Sequence, residues 1–252
     1  MDNVNGITKK IHFSWFVDNS LNEKEVAAIN NGLNRMAEKI KSLIGIDYNI
    51  HRSIADYSKV GTTVRSYTFL NGSVKDTSDN EIRINVVNKR VYSRENYELF
   101  GHQTVNLCQY NKKGATYSEA HRRPKSAAVI LNLDLIRRNS RNENDIEKLV
   151  YWFGIHEIGH VFGIAGKVGT VIKLSKGIKS TISRGYRIER GTAVDNRGEH
   201  CVDTTCNMFA GTGVYGKDAA SGIKNSNKNI IHCKWCLAEW KAYPNILEKL
   251  GK

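Results

Sequence analysis

Proline is nearly absent: Pro124 and Pro244 are the two in 252 residues. There is therefore no proline-rich linker, and no repeat or low-complexity tract divides the chain. No run of 18 apolar residues occurs, which excludes a membrane-spanning helix on hydropathy. The opening MDNVNGITKKIHFSWFVDNS has no apolar core behind a basic start, so it does not read as a secretory signal, and the cytoplasm is the expected compartment. Acid is in short supply, with 38 Lys and Arg against 25 Asp and Glu and a formal net charge of +13. That excess favours acidic or polyanionic partners, or simply a lysine-rich solvated surface. Cysteine is sparse, five in all, yet four of the five fall within 201–236. An odd count without an export signal argues against a disulfide framework, and clustered cysteines in a reducing compartment more often bind metal. Hydrophobic residues at 40% and charged residues at 25% are ordinary for a globular protein, and this length buries a core without covalent staples.

Periodicity sets out the elements that are there. Residues 11–18 alternate like a strand. After Asn19-Ser20, which can cap a helix, residues 21–44 carry Val26, Ile29, Leu33, Met36, Ile40 and Leu43 at helical spacing. Residues 46–53 and 81–89 read as strands, and 92–125 has no clear period. Residues 126–135 (SAAVILNLDL) are mostly apolar and are expected to be a buried strand. A second helix starts near Ser140–Asn144, carries Ile146, Leu149, Val150, Phe153, Ile158 and Val161 as a stripe, and is expected to end near Gly163. The order β-α-β-β-β-α implies a mixed α/β layout, helices packed on a twisted sheet. Residues 164–199 hold eight Lys or Arg, three Asp or Glu and six Gly, and Thr170–Leu174 and Arg184–Glu189 can pair there as a hairpin. This basic segment reads either as a tolerated surface loop or as a flap that admits acidic substrates. Residues 201–243, rich in cysteine and with Trp235 and Trp240, read as a small metal-stapled unit. The expected division is 1–163, 164–199 and 200–252.

His156-Glu157-Ile158-Gly159-His160 carries the sharpest chemistry. On a helix, residues four apart share a face, so two imidazoles can grip one Zn²⁺. Glu157, one residue round, can reach a water beside the metal, which is the general-base position of a metallopeptidase. A histidine pair that merely packs is the competing reading. A catalytic zinc takes three protein ligands and keeps one position open. Asp195, Glu199 and His200 are the candidates for the third.

Cys201-x4-Cys206 and Cys233-x2-Cys236 form the second pattern. One Cys-x-x-Cys is weak evidence, whereas two pairs taking four of five cysteines suit a closed tetrahedral zinc site. A redox dithiol or buried free thiols are the alternatives. His232 could replace one sulfur, and Cys108 is left over as a buried thiol.

Taken together, the residues resemble the archaemetzincin family of zinc metallopeptidases, whose pattern is HExxHxxGxxHC, x4-C-x-M, a spacer, then CxxC. The matching pieces are His156-Glu157-x-x-His160-x-x-Gly163, His200-Cys201-x4-Cys206-Asn207-Met208 and Cys233-x-x-Cys236, so the resemblance covers residues 126–240. Two residues separate the glycine from the third histidine in that pattern, and 36 (164–199) do so here. The spacer from Met208 to Cys233 is longer as well, at 24 residues. The resemblance implies a metzincin-like α/β fold with an active-site helix and a small zinc-stapled C-terminal unit. It implies two Zn²⁺ per chain: a catalytic one on His156, His160 and His200 with Glu157 as base, and a structural one on Cys201, Cys206, Cys233 and Cys236. Met208 takes the Met-turn beneath the catalytic metal, and strand 126–135 takes the edge beside the cleft. Asp195 is the rival third ligand, since Gly191-Thr192-x-x-Asp195 is faintly similar to the aspzincin pattern. The implied activity is hydrolysis of peptide bonds in a peptide or protein substrate. A DNA-associated metalloprotease is the first alternative, motivated by the net charge and by His121-Arg122-Arg123-Pro124-Lys125. A non-catalytic zinc-stabilised binding module is the second.

Overall fold

In the computed structural model the described residues are 10–78, 80–110, 121–162, 164, 172–173, 179–180, 200–201, 203–234 and 236–241, with backbone alone described for 105–110, 121–125, 172–173 and 179–180. A five-stranded mixed sheet forms the frame, in the order β2-β1-β4-β7-β6. Its strands are β1 (Lys10–Asp18), β2 (Asp47–Ala55), β4 (Glu81–Val87), β6 (Gly101–Tyr110) and β7 (His121–Asn132). Four run parallel, and β6 lies antiparallel to β7 at one edge. A short parallel ladder joins β3 (Thr63–Arg65) to β5 (Arg90–Tyr92). The fold class is mixed α/β, as the element order implies.

Helix α1 (Glu23–Ile44) starts later than the Asn19-Ser20 signal suggests. Asn22 is the cap: its side chain accepts from the Glu25 backbone N–H at 3.0 Å, while the Glu25 carboxylate accepts from the Asn22 backbone. That reciprocal box satisfies two of the donors every helix start leaves open. Helix α1 packs on one face of the sheet beside α4 (Glu143–Val161), with Phe13, Trp15, Ile29, Leu33, Met36, Ile84, Val129 and Leu149 buried between them. Their crossing depends on Gly32. A methyl there would lie 2.6 Å from the Glu147 carbonyl oxygen and 3.0 Å from Val150. Gly32→Ala is therefore expected to destabilise the fold by about 1–3 kcal/mol through overpacking, partly offset by the better helix propensity of alanine. A denaturant midpoint that stays put or rises would contradict this close crossing.

Strand β7 is interior, paired to β4 on one side and β6 on the other, and Ser126–Asn132 is buried throughout. It is thus not the edge strand expected at 126–135. It also stops at Asn132, whose side chain accepts from the Leu135 backbone and caps a further helix, α3 (Leu133–Arg138). Among the described residues the edge is β6, drawn from the stretch without clear periodicity. Helix α2 (Ser66–Lys75) covers the other face of the sheet, over a second cluster that includes Leu70, Val91 and Ile130. A two-residue pairing of β8 (Ile172–Lys173) with β9 (Lys179–Ser180) takes up part of the expected hairpin, but with 179–180 as partner. Arg184–Glu189 lies outside the described residues. Helix α5 (Tyr215–Asn225) packs on α4 through Gly222 and Trp152. Among the described residues no helix is long and apolar enough to cross a membrane.

Candidate active site

Helix α4 begins at an Asn142 cap and carries its chemistry in its last two turns. His156 and His160 meet there, their Nε2 atoms 3.1 Å apart. His200 joins them from the distant loop, its ring centroid 5.5 Å from that of His156 and 4.8 Å from that of His160. One ligating nitrogen from each of the three falls within 4.8 Å of the others. His156 Nδ1 donates to the Asn207 backbone carbonyl at 2.7 Å, which leaves Nε2 as the free lone pair toward the other two rings. The donor set of three imidazoles fits one zinc.

Loss of solvent, then repulsion from His200, hold His156 down at about 4, and the same two effects, with His156 added, hold His160 well below the usual range. Neutral imidazole is the form a metal needs. Glu157 is 6% exposed, and burial pushes its carboxyl up to about 8. The signs make a test on chelator-treated protein. The two histidines contribute stability above their ordinary value near 6.5 and lose it as pH falls toward 4. Glu157 opposes them, since its raised value favours the fold in acid and that contribution is lost as pH rises from its ordinary value near 4.5 to about 8. The melting temperature of the metal-free protein should therefore peak near the ordinary histidine value and decline on both sides, and Glu157→Gln should remove the decline on the alkaline side and steepen the one on the acid side. A melting temperature flat across that range would contradict the burial of these groups.

Two glycines make room for this centre. A methyl on Gly101, the first residue of β6, would sit 2.8 Å from Glu157 Cγ and 2.9 Å from its Oε1. A methyl on Gly159 would run into the Met208 thioether, which is fully buried against the helix between the two histidine turns.

The four cysteines Cys201, Cys206, Cys233 and Cys236 bring their sulfurs within 4.8 Å of one another, and three of the four are buried. Backbone N–H groups of Asp203 and Cys233 point at Cys201 Sγ and Cys206 Sγ, at 3.5 and 3.3 Å. Hydrogen bonds from its sulfur neighbours draw Cys233 down toward the thiolate. This set fits a tetrathiolate zinc site. His232 stands apart from it: the ring is buried, and its Nε2 accepts from Trp240 Nε1 at 3.1 Å.

One loop, residues 200–209, serves both clusters. It closes where Cys201 N donates to Met208 O at 2.8 Å, so His200 and Cys201 begin it and Cys206, Asn207 and Met208 end it. Asn207 also donates its amide to the Trp152 carbonyl of α4 at 2.8 Å. The loop thus supplies one of the three histidines, two of the four cysteines, the acceptor that orients His156, and the side chain beneath α4.

A cleft of about 1480 Å³ opens over the three histidines and Glu157. Its walls include Gly101, His102 and Gln103 of β6, Phe100 stacked on Phe153 at 4.1 Å, and Tyr215 of α5. Asp195, Glu199 and Gly163 lie outside the described residues, as does nearly all of 164–199. The side chains of Cys108 and of His121–Lys125 lie outside them too. Sequence reasoning missed Gly101, His102 and Asn207. Only Asn207 left a trace, as the residue between Cys206 and Met208.

No protein-family model matches the sequence, and no curated protein matches it. Among solved structures, the archaemetzincin of Methanopyrus kandleri is similar, with a TM-score of 0.51 at 14% identity over 95% of this chain and 97% of that one. The fold is that of an archaemetzincin. A zinc-dependent peptidase from Methanocorpusculum labreanum aligns with a TM-score of 0.49 at 11% identity, over 91% of this chain and 100% of that one. An archaemetzincin of Archaeoglobus fulgidus in complex with malonate aligns with a TM-score of 0.45 at 14% identity, over 90% and 99%. At these identities the likeness is one of fold.

Proposed function

We propose that the protein is a zinc-dependent peptidase holding two zinc ions, a catalytic one on His156, His160 and His200 and a structural one on Cys201, Cys206, Cys233 and Cys236. The observation that carries the reading is the meeting of three imidazoles on the floor of an open cleft, with a buried carboxylate on the same helix. Three protein ligands in an open cleft leave a coordination position for chemistry, whereas four buried thiolates close a site. A purely structural role for the histidine centre gives Glu157 no task, which disfavours a non-catalytic binding module. The archaemetzincin fold supports the same reading.

Zinc bound at the histidines supplies a Lewis acid that polarises a carbonyl and acidifies a water. The chain's own residues do the rest. Glu157, its proton affinity raised by burial, takes the proton of the attacking water and delivers it to the leaving amine. The Asn207 carbonyl keeps His156 in the tautomer that turns Nε2 to the site. The free edge of β6 runs along the cleft, where an extended peptide adds as a further strand through main-chain hydrogen bonds. Gly101 keeps that edge clear of the base. A cluster of four thiolate ligands suits a reducing compartment such as the cytoplasm. The DNA-associated alternative rests on side chains outside the described residues and on net charge, so no observation of the structure favours it.

Hydrolysis of a proteome-derived peptide library tests the reading. New termini should accumulate with zinc-loaded protein, cease on chelation and return on adding zinc back. Chelator-insensitive cleavage, or none by protein carrying both metals, would count against a zinc peptidase.

A further inference from the structure

We propose that Tyr97 is a specificity-determining residue: it anchors a bulky apolar side chain of an extended polypeptide substrate, roughly three or four residues from the bond that is cut and on one side of it only. This rests on the peptidase reading above. It adds that short peptides, which cannot reach Tyr97, are poor substrates.

The cleft is long enough to hold more than the cut site. Its volume of about 1480 Å³ exceeds the roughly 300–1,000 Å³ of sites that enclose a small molecule. From the three histidines it runs past Gly101 to the loop between β5 and β6, where Tyr97 and Glu98 line it. Gly101 abuts the Glu157 side chain, so it marks the metal centre on this wall. Tyr97 stands four residues upstream in the chain. At no more than about 3.6 Å per residue, its Cα lies within about 14 Å of that of Gly101, a span that four extended substrate residues cover. The wall between is continuous and largely aromatic. Phe100 stacks on Phe153, Tyr215 meets the Phe100 ring edge-on with centroids 5.9 Å apart, and the Tyr215 hydroxyl donates to the Glu98 carbonyl at 2.9 Å.

The loop that carries Tyr97 is fixed by its own hydrogen bonds. Ser93 Oγ accepts from the backbone N–H groups of Glu95 and Tyr97, at 3.1 and 3.2 Å, and Ser93 N donates to the Tyr97 carbonyl at 2.7 Å. Asn96 takes the left-handed turn between them, at φ 65°, a conformation that asparagine tolerates. Arg65 ties the Ser93 carbonyl down at 3.1 Å. The Tyr97 side chain is nonetheless 67% exposed. Among the described residues five large hydrophobic side chains are exposed, and three of them gather around this loop. Tyr97 belongs to it, Tyr67 lies under its Arg94 guanidinium, and Val214 precedes the Tyr215 that bonds Glu98. Exposed apolar groups gathered at the rim of a cleft mark a binding surface, and continuity with the cleft makes the substrate chain its occupant. A ring held on a fixed backbone loses little further freedom when it is covered. The rim charges Arg94 and Glu95 are adjacent and opposite, so the feature offered for recognition is the ring rather than a charge.

The test measures kcat/KM on a peptide that the zinc-loaded wild type cleaves and on shortened forms that keep two residues before the cut or two after it. Shortening on one side alone should cost about tenfold or more, the scale of leaving one large apolar contact unmade, and shortening on the other side should cost little. Tyr97→Ala should lower kcat/KM on the full-length peptide by the same factor and leave the peptide shortened on the sensitive side unchanged, since the two losses remove one contact. Tyr97→Phe, which keeps the ring, should stay near wild type. Zinc content and melting temperature should be those of the wild type in both variants, because the side chain is exposed. An equal loss for Tyr97→Ala on long and short peptides, no loss on either, or wild-type rates independent of length would overturn the assignment and leave the peptidase reading standing. Wild type carrying both zinc ions that cleaves no peptide would remove the peptidase reading and this inference with it.

Discussion

Glu157→Gln should leave both zinc ions bound and cut peptide turnover by about 10³-fold or more, within the range or above it for loss of a positioned general base. The substitution keeps the shape of a buried side chain packed under Gly101 and removes only its capacity to take a proton. Glu157 belongs to neither metal cluster, so metal content is the internal control. A fall in kcat with unchanged zinc identifies the base. A variant that keeps full activity would remove Glu157 from the mechanism, and one that loses a metal would recast it as a ligand.

Cys206→Ser should cost both metals, although Cys206 touches only one cluster. A structural zinc supplies on the order of 10 kcal/mol of folding free energy to the segment it closes, and a hydroxyl is a poor replacement for a thiolate ligand. Cys206 is one residue from Asn207, whose carbonyl orients His156, and two from Met208, which packs on Gly159. Its loop closes back on Cys201, the neighbour of His200. Once that loop loosens, the histidine centre loses a ligand's anchor and a partner of its first histidine together. Disturbing such supporting contacts costs about 10–100-fold in metal affinity apiece. The variant should bind less than one zinc, melt at lower temperature and be inactive. One zinc firmly retained, with activity, would show that the clusters are independent.

The parts legible in the sequence are those whose signal is local. The histidine motif is a property of helical spacing, and α4 around it has its own cap and stripe. The cysteine pairs announce themselves by count and spacing. Boundaries shifted by a few residues wherever a side chain settled them: Asn22 rather than Asn19 or Ser20 at α1, Asn132 at the end of β7. Misplacing the edge strand had a different cause. An apolar run says that a strand is buried and not which neighbours bury it, and β7 is buried because β6 covers it. The β6 sequence GHQTVNLCQY mixes polar and apolar residues as an edge facing a cleft does, and that leaves no period to read. Asn207 acts on His156 through a backbone carbonyl, an atom every residue has. Gly101 and His102 gain their places only when β6 is laid beside α4. The third histidine is separated from Gly163 by 36 residues, so the residue pattern alone left three candidates, and the fold brings His200 to His156 and His160.

The most direct test of the histidine centre is a zinc count by native mass spectrometry on wild type and on His200→Ala. Two ions per chain are expected in the wild type. One is expected in the variant, because the tetrathiolate cluster does not use His200, with the loss falling on the histidine site and peptide turnover lost with it. Two ions retained in His200→Ala, with activity, would contradict the assignment of the third ligand and return Asp195 to that position.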